Sequence, residues 1–382
     1  MAQWNRVPLI DYIELIGGGT PKTTVPEYWN GNIPWLSVKD FNNDKRYVYS
    51  TEKHISQSGF ENSPTKMLHK DDIIISARGT VGEIAMIPFD MAFNQSCYGI
   101  RASRGIDQPF LYYLLKNCIS QLKRMTHGSV FDTITRDTFA NIEVDIPDAE
   151  TQKRISSVLA DIDNKIEVND AINDNLHQQA ATLFKALFVD LTPFDGTMPP
   201  NWTISTLGDA TEMGAGGDKP KESSLVKTPL CPYPIYSNGI NDYGLYGYTN
   251  DPKIKAESVT VSARGTIGYV CLRHTPYVPI VRLVTLIPDT KVLSAKYLYL
   301  YLRQLHITGT GTTQQQLTVP DFRKTEIIIP DKNTMDSFTE TVTPLFEQIW
   351  ANEDENTKLA EVRDALLPKL MSGEIDVSDI QL

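Results

Sequence analysis

Ser76-Ala77-Arg78-Gly79-Thr80-Val81-Gly82 returns 186 residues later as Ser262-Ala263-Arg264-Gly265-Thr266-Ile267-Gly268. Phe110-Leu111-Tyr112-Tyr113 returns as Tyr297-Leu298-Tyr299-Leu300 at an offset of 187, and Ile146-Pro147-Asp148 as Ile329-Pro330-Asp331 at 183. Near the starts, Pro21-Lys22 matches Pro220-Lys221 at 199. Matches in the same order, with offsets that drift by a few residues, mean one fold written twice with loop insertions.

Each half then reads alike. Short β-rich runs punctuated by Gly and Pro come first, including the stretches around the repeated heptapeptide. A short helix near 109–118 or 295–304 follows. A strand ends at Ile-Pro-Asp, where the Asp can cap a long helix. In the first half Ile155, Leu159, Ile162, Ile166, Asn169, Asn173, Leu176, Ala180, Leu183 and Leu187 are spaced 4-3-4-3. In the second, Phe338, Val342, Leu345, Ile349, Asn352, Asn356, Leu359, Arg363, Leu366 and Leu370 repeat that spacing at a constant offset of 183. This is a coiled-coil seam. Pro344 and Pro368, near the ends of the second run, are expected to bend or fray it. The central Asn pairs match in either an antiparallel alignment (Asn169 with Asn356, Asn173 with Asn352) or a parallel one, and favour a single register in both. The alternative is two amphipathic helices, each packed on its own domain. From 155 to 187 such a helix spans ~48 Å at 1.5 Å per residue. Two similar domains held at that order of spacing suit a polymer with a repeat, such as duplex DNA with half-sites ~34 Å apart.

The composition fits a globular protein: 382 residues, 41% apolar and 22% charged, room for two or three domains. No run of 18 apolar residues occurs, which excludes a transmembrane helix, and the N-terminal stretch lacks the apolar core of a signal peptide. Cys97, Cys118, Cys231 and Cys271 are scattered, which argues against a disulfide framework or zinc site and fits a reducing cytoplasm. The net charge of −11 at first argues against a nucleic-acid partner. Its distribution changes that, because residues 333–382 alone carry 3 Lys+Arg against 11 Asp+Glu. Residues 1–150 have a net −3, 151–190 a net −2 and 191–332 a net +2, so a local basic face on either large block remains open.

No catalytic constellation emerges. Gly17-Gly18-Gly19-Thr20-Pro21 opens no helix and no Gly-Lys-Ser/Thr follows, so it is not a phosphate loop. Pro199-Pro200-Asn201-Trp202 lacks the flanking residues of an amino-methyltransferase motif. Pro147-Asp148 with Asp163-Asn164-Lys165 formally matches a nuclease pattern, but Asp163 and Lys165 fall on the long helix rather than on a metal-binding strand. The six histidines show no ligand spacing. No catalytic residue, metal ligand or cofactor is expected in this chain, which reads as a binding protein.

Base edges and phosphates are read by Arg, Lys, Asn, Gln, Ser and Thr, and four places carry such residues on expected loops. The first is Thr20, Lys22 and Thr23, then Tyr28. Its counterpart is Lys219 and Lys221, then Ser237 and Asn238. The third is the repeated turn, with Arg78 and Thr80, Arg264 and Thr266, although a hairpin turn whose Gly is chosen for φ > 0 is an equal reading. The fourth is Ser129 in the first half and Thr312, Thr313, Gln314 and Gln315 in the second, which also read as a surface loop. Trp29 and Trp35 suit a core better than a contact.

At this point the chain resembles the specificity subunit of a type I DNA restriction–modification system, over essentially its whole length. The resemblance rests on Gly18-Gly19-Thr20-Pro21-Lys22 followed by Tyr28-Trp29-Asn30-Gly31-Asn32-Ile33-Pro34-Trp35-Leu36-Ser37 and on the repeated Ser-Ala-Arg-Gly-Thr-x-Gly. It also rests on Ile146-Pro147 leading to Gln152-Lys153-Arg154-Ile155, on Leu183-Phe184-Lys185-Ala186-Leu187-Phe188, and on Leu366-Leu367-Pro368-Lys369-Leu370-Met371-Ser372-Gly373-Glu374-Ile375. It implies an α+β fold: two tandem mixed α/β target-recognition domains, each followed by a long helix, the helices pairing as an antiparallel coiled coil with internal pseudo-twofold symmetry. The expected boundaries are 1–148 and 193–331 for the recognition domains, 149–192 and 332–373 for the helices, and 374–382 for a tail. The resemblance further implies that each domain reads half of a split, asymmetric double-stranded DNA target, while the helices set the gap and dock two modification subunits. Those subunits hold S-adenosylmethionine and methylate adenine N6, and restriction subunits using ATP and Mg join the same assembly. Base-contacting positions do not transfer, because recognition domains vary with their targets. The halves differ, so two different half-sites are expected. Arg363, where the first helix has Ala180, is expected to weaken the seam or to contact an acidic partner residue.

Overall fold

The computed structural model describes residues 4–126 (124–126 by backbone alone), 133–309 and 316–380. They form two compact units, residues 1–171 with 352–382 and residues 172–351.

The first unit holds an antiparallel sheet in the order Ile13–Gly17, Cys97–Ala102, Ile73–Ser76, Ile84–Met86. The second holds the same sheet as Thr211–Ala215, Val284–Pro288, Ser258–Val261, Val270–Arg273. Each unit adds a sheet with one parallel pair, Trp29–Leu36 with Met91–Phe93 in the first and Tyr233–Tyr236 with Val278–Pro279 in the second. Each adds an antiparallel pair as well, Asn5–Pro8 with Glu143–Ile146 and Thr203–Thr206 with Glu326–Ile329. The repetition in sequence is thus a repetition of topology. One difference is the edge strand Ser223–Ser224 of the second unit, which precedes that unit's central strand and pairs with Leu245–Thr249.

The central strands are apolar on both faces. Ile73, Ile74 and Ile75 are fully buried, packed on one side by the helix Gln108–Thr126 through Phe110, Leu111 and Leu115 and on the other by Leu36, Phe41 and Phe93. In the second unit Val259 and Val261 pack against Tyr297 and Leu298 of the helix Ala295–Gln304.

The long helices run over Ala149–Phe184, with a π-helical turn at Lys185–Val189, and over Lys332–Met371. The Asp of Ile-Pro-Asp caps each. Asp148 Oδ1 accepts from the Thr151 N–H at 3.0 Å and Oδ2 from the Thr151 hydroxyl at 2.9 Å. Asp331 accepts from the N–H groups of Asn333 and Thr334 and from the Thr334 hydroxyl. These bonds hold both carboxyls below the usual range. The second helix passes through Pro344 and Pro368, so neither ends it.

In both units the helices pair antiparallel. In the first, Arg363 meets Asp163 and Asn169 Nδ2 donates to Asn356 Oδ1 at 2.9 Å. In the second, Asn173 Nδ2 donates to the Ile349 carbonyl at 3.4 Å and Phe184 faces Phe338 at 6.0 Å between ring centroids. The stripe serves two partners at once. Ile155 and Leu159 share a core with Leu370 on the other helix and with Phe110 and Leu111 of their own domain, so the two packings posed as alternatives coexist.

The expected seam needs a correction at Leu183, Leu345 and Leu366. Leu183 is 37% exposed, while Phe184 and Phe188 are buried. On the second helix Leu345 and Leu366 are half-buried beside buried Phe346 and Leu367. Against a strict heptad a straight helix drifts ~20° per repeat, and the four heptads from Ile155 to Leu183 accumulate most of one 100° step. On the first helix the buried face therefore passes to the next residue. Of the remaining seam positions Ile155, Leu159, Asn169, Asn173, Phe338, Val342, Ile349, Asn352 and Leu370 are buried, and Ile162, Ile166, Leu176, Leu187, Asn356 and Leu359 half-buried.

Of the stretch 374–382, expected as a tail, the described residues 374–380 pack into the first unit. Val377 is buried, Ile375 and Ile380 join its core, and Arg154 Nη1 donates to the Val377 carbonyl. Gly373 makes the turn with φ +73°, where a Cβ would stand 2.8 Å from Trp4 Nε1.

Candidate nucleic-acid interface

The repeated heptapeptide is a structural turn that carries an exposed cation. It joins Ile73–Ser76 to Ile84–Met86 and, in the second unit, Ser258–Val261 to Val270–Arg273. The buried Ser is its staple. The Ser76 hydroxyl donates to the Thr80 carbonyl at 2.5 Å and accepts from the Glu83 N–H at 2.8 Å. Ser262 does the same with the Thr266 carbonyl and the Tyr269 N–H. Gly79 and Gly265, at φ +79° and +69°, make the reversal, and no atom lies within 4 Å of a Cβ built on either. Ser and Gly therefore shape the loop, and Arg78, Thr80, Arg264 and Thr266 are left exposed.

In the first unit the turn borders an open cleft. Arg78, Gly79 and Thr80 line it with Ser37, Lys39 and Asn42 after the central strand, Glu52 and Lys53 on the next segment, and Asn94 and Ser96. Trp35, 6% exposed, forms the floor, and its Nε1 donates to the Gly19 carbonyl at 3.1 Å. Trp29 meets Trp35 edge to face at 5.2 Å and carries the Lys53 ammonium 5.7 Å over its ring. The Gly-Gly-Thr-Pro segment borders the same loops. The Gly19 N–H donates to the Phe93 carbonyl and the Thr20 hydroxyl to Gln95 Oε1. Lys22 and Thr23 are exposed and Tyr28 half-buried; the Lys22 carbonyl accepts from Trp29 Nε1. Three cations, Lys39, Lys53 and Arg78, thus share one concave surface with Thr, Ser and Asn groups and one acid, Glu52. Such a surface suits a polyanion with polar edges. Sequence reading missed Lys39, Lys53, Asn94 and Ser96, because they come from segments far apart in the chain and carry no motif.

In the second unit the equivalent loops meet differently. Asn238 Nδ2 donates to the Val281 carbonyl and its Oδ1 accepts from the Ala263 N–H, both at 2.7 Å. This side chain ties the turn bearing Arg264 to the loop after Val278–Pro279. The Ser237 N–H donates to the Gly244 carbonyl, closing the 237–244 loop. Arg264 Nη2 donates to Gln316 Oε1 at 3.1 Å. Lys219 is exposed and stands 5.2 Å over the ring of Tyr246; Lys221 is exposed as well. Ser129, Thr312, Thr313, Gln314 and Gln315 lie outside the described residues.

The residues of the formal nuclease pattern have other work. Asp148 is a helix cap, and Asp163 is buried against Arg363. Among the described residues no group of three or more His, Cys, Asp or Glu is placed to hold a metal, and no helix is long and apolar enough to cross a membrane.

Two domains of equal topology, each presenting a cationic turn from the same hairpin and each continued by a long helix, define a duplicated recognition protein. A family model described as the type I restriction modification DNA specificity domain matches residues 1–178 and again 199–361. The chain belongs to that family, and is a type I restriction–modification specificity subunit with two tandem recognition domains. It is 28% identical to the type I restriction enzyme MjaIX specificity subunit of Methanocaldococcus jannaschii, over 99% of this chain and 94% of that protein. It is 27% identical to the HindI specificity subunit of Haemophilus influenzae, over 70% and 77% respectively. The crystal structure of a type I restriction–modification system S subunit from M. genitalium superposes with a TM-score of 0.57 at 16% identity, covering 97% of this chain and 96% of that one, a likeness of fold.

Proposed function

We propose that each recognition domain reads one half of a bipartite, asymmetric DNA sequence, while the two long helices set the unread spacer and dock two adenine-N6 methyltransferase subunits. S-adenosylmethionine belongs to those subunits, and ATP and Mg to restriction subunits of the same cytoplasmic assembly; this chain contributes recognition and no catalytic group. The observation that carries the reading is that equivalent loops hold different side chains. Lys39, Lys53, Asn94 and Ser96 line one cleft with Arg78 in one domain, whereas in the other Arg264 bonds Gln316 and Asn238 ties the neighbouring Ala263 to Val281. One scaffold thereby presents two chemistries, as two unlike half-sites require.

The test is co-expression with a modification subunit from its own genome, mass photometry of the complex, and sequencing of the methylated DNA. Two modification subunits to one of this chain, with methyl groups in a split asymmetric motif, are expected. A chain that stays alone, or a motif that is palindromic, overturns the reading.

A further inference from the structure

Arg273 is 6% exposed, yet among the described residues it pairs with no carboxylate. A buried cation without a counter-charge is costly and is kept where its other bonds matter. Its Nε donates to Thr260 Oγ1 at 2.9 Å, and its guanidinium lies 3.6 Å over the ring of Tyr236. Its Nη2 donates to the Tyr243 carbonyl at 2.6 Å. Thr260 belongs to one sheet of the second unit and Tyr236 ends the central strand of the other. Tyr243 sits in the exposed loop between Tyr236 and Leu245. One side chain thus joins both sheets to that loop.

The loop needs holding. Asp242, Tyr243 and Gly244 are all left-handed, at φ +47°, +54° and +82°. Two consecutive non-glycine residues in that region persist only where the surroundings impose it. The Arg273 bond falls on the carbonyl of the second. The strained stretch presents Asn241, Asp242 and the 54%-exposed Tyr243 to solvent, and Asn238 fastens the same loop to the turn bearing Arg264. The first unit has Ile87 at the equivalent position, 186 residues earlier, and it is fully buried and apolar. At this position the second domain has a buried cation where the first has an apolar side chain.

We infer that Arg273 is a positioning residue for sequence reading by the second domain: its buried guanidinium locks the 237–244 loop into the shape that selects that domain's half-site. The inference rests on the two-half-site reading above. It makes Asn241, Asp242 and Tyr243 the side chains whose aim Arg273 sets.

The experiment uses the whole chain in complex with its modification subunits. Arg273→Met keeps the stem and removes the planar cation; Thr260→Val removes only the hydroxyl that accepts from it. Each complex is assayed for methylation of a library in which either half-site is randomised, with its thermal midpoint measured alongside. For Arg273→Met, discrimination within the second domain's half is expected to fall by about tenfold or more, the scale of one good base contact, with the other half unchanged. Thr260→Val is expected to move the same half in the same direction by less. An unchanged motif in a folded Arg273→Met complex overturns the inference, as does equal loss in both halves. If Arg273→Met does not fold, an unchanged motif for Thr260→Val overturns it. Failure of the wild-type complex to select any split motif sinks the two-half-site reading instead.

Discussion

Arg363 Nη1 donates to Asp163 Oδ1 at 2.9 Å, with both side chains only 4% exposed. The pair joins the end of the second long helix to the first half of the first. The Tyr113 hydroxyl donates to the other Asp163 oxygen at 2.7 Å, and Arg363 Nη2 reaches Asp44 Oδ2 at 2.9 Å. Two helices and the 44–49 segment of the first recognition domain therefore meet on one guanidinium. At the equivalent place in the second unit stand Ala180 and Phe346, both buried. One repeat closes its helix junction with ions, the other with packing.

Removing one partner of a buried pair leaves the other charge stranded, at about 3–5 kcal/mol. Arg363→Ala is expected to lower the thermal midpoint of the first unit by roughly 10 °C. Asp163→Leu combined with Arg363→Met is expected to regain part of that loss, because an apolar pair of similar volume strands no charge and only the Tyr113 hydroxyl loses its acceptor. A double variant less stable than the single one contradicts this account.

Leu183 and Phe184 are adjacent, and only one is core. Phe184→Ala is expected to cost about 3–5 kcal/mol, since its ring packs on Tyr297, Phe338 and Phe188. Leu183→Ala is expected to cost under about 1 kcal/mol, the range of changes outside a core. Denaturant midpoints of the two variants check the order, and a reversed order restores the strict heptad seam.

Alkali is expected to unfold the protein. Burial pushes Tyr47 and Tyr269 up to about 12 and holds Tyr112, Tyr113 and Tyr297 above the usual phenol range. A phenol that keeps its proton in the fold but ionises near pH 10 when unfolded stabilises fully below about pH 10. That stability is lost as the pH rises through the folded values. The thermal midpoint should hold through neutral pH and fall above about 10, with tyrosinate absorbance appearing together with unfolding. Full tyrosine ionisation in a still-folded protein contradicts the burial.

The cleft makes a prediction about salt. Replacing Arg78, Lys39 or Lys53 by Ala is expected to weaken DNA binding on all sequences and to reduce the slope of log affinity against log salt by about one each. Asn94→Ala is expected to leave the slope unchanged and alter preference within one half-site. Slopes unmoved by all three cationic variants would return the turn to a purely structural role.

Much of the fold was legible. The heptapeptide announced the repeat, because a turn that needs a stapling Ser and two left-handed Gly has few spellings. Ile-Pro-Asp announced both caps, and the Asn pairs allowed the antiparallel register that Asn169 and Asn356 adopt. The candidate interface was legible only in part. Arg78 and Thr80 could be singled out because their neighbours repeat. Lys39, Lys53, Asn94 and Arg273 could not, since nothing local distinguishes a lysine on a cleft wall from one on a plain surface.

By itself the sequence determined the duplication, the two recognition domains and the two long helices, because periodicity, caps and turns are properties of neighbouring residues. Tertiary structure decided the rest. It chose antiparallel over parallel, made Arg363 an asset by bringing Asp163 and Asp44 to it, and moved the buried face from Leu183 to Phe184. It also drew the 374–380 segment into the first unit's core and gathered distant loops into one cationic cleft. Each of these depends on which surfaces meet after folding, and a buried charge or an exposed leucine acquires its energy only from what lies opposite it.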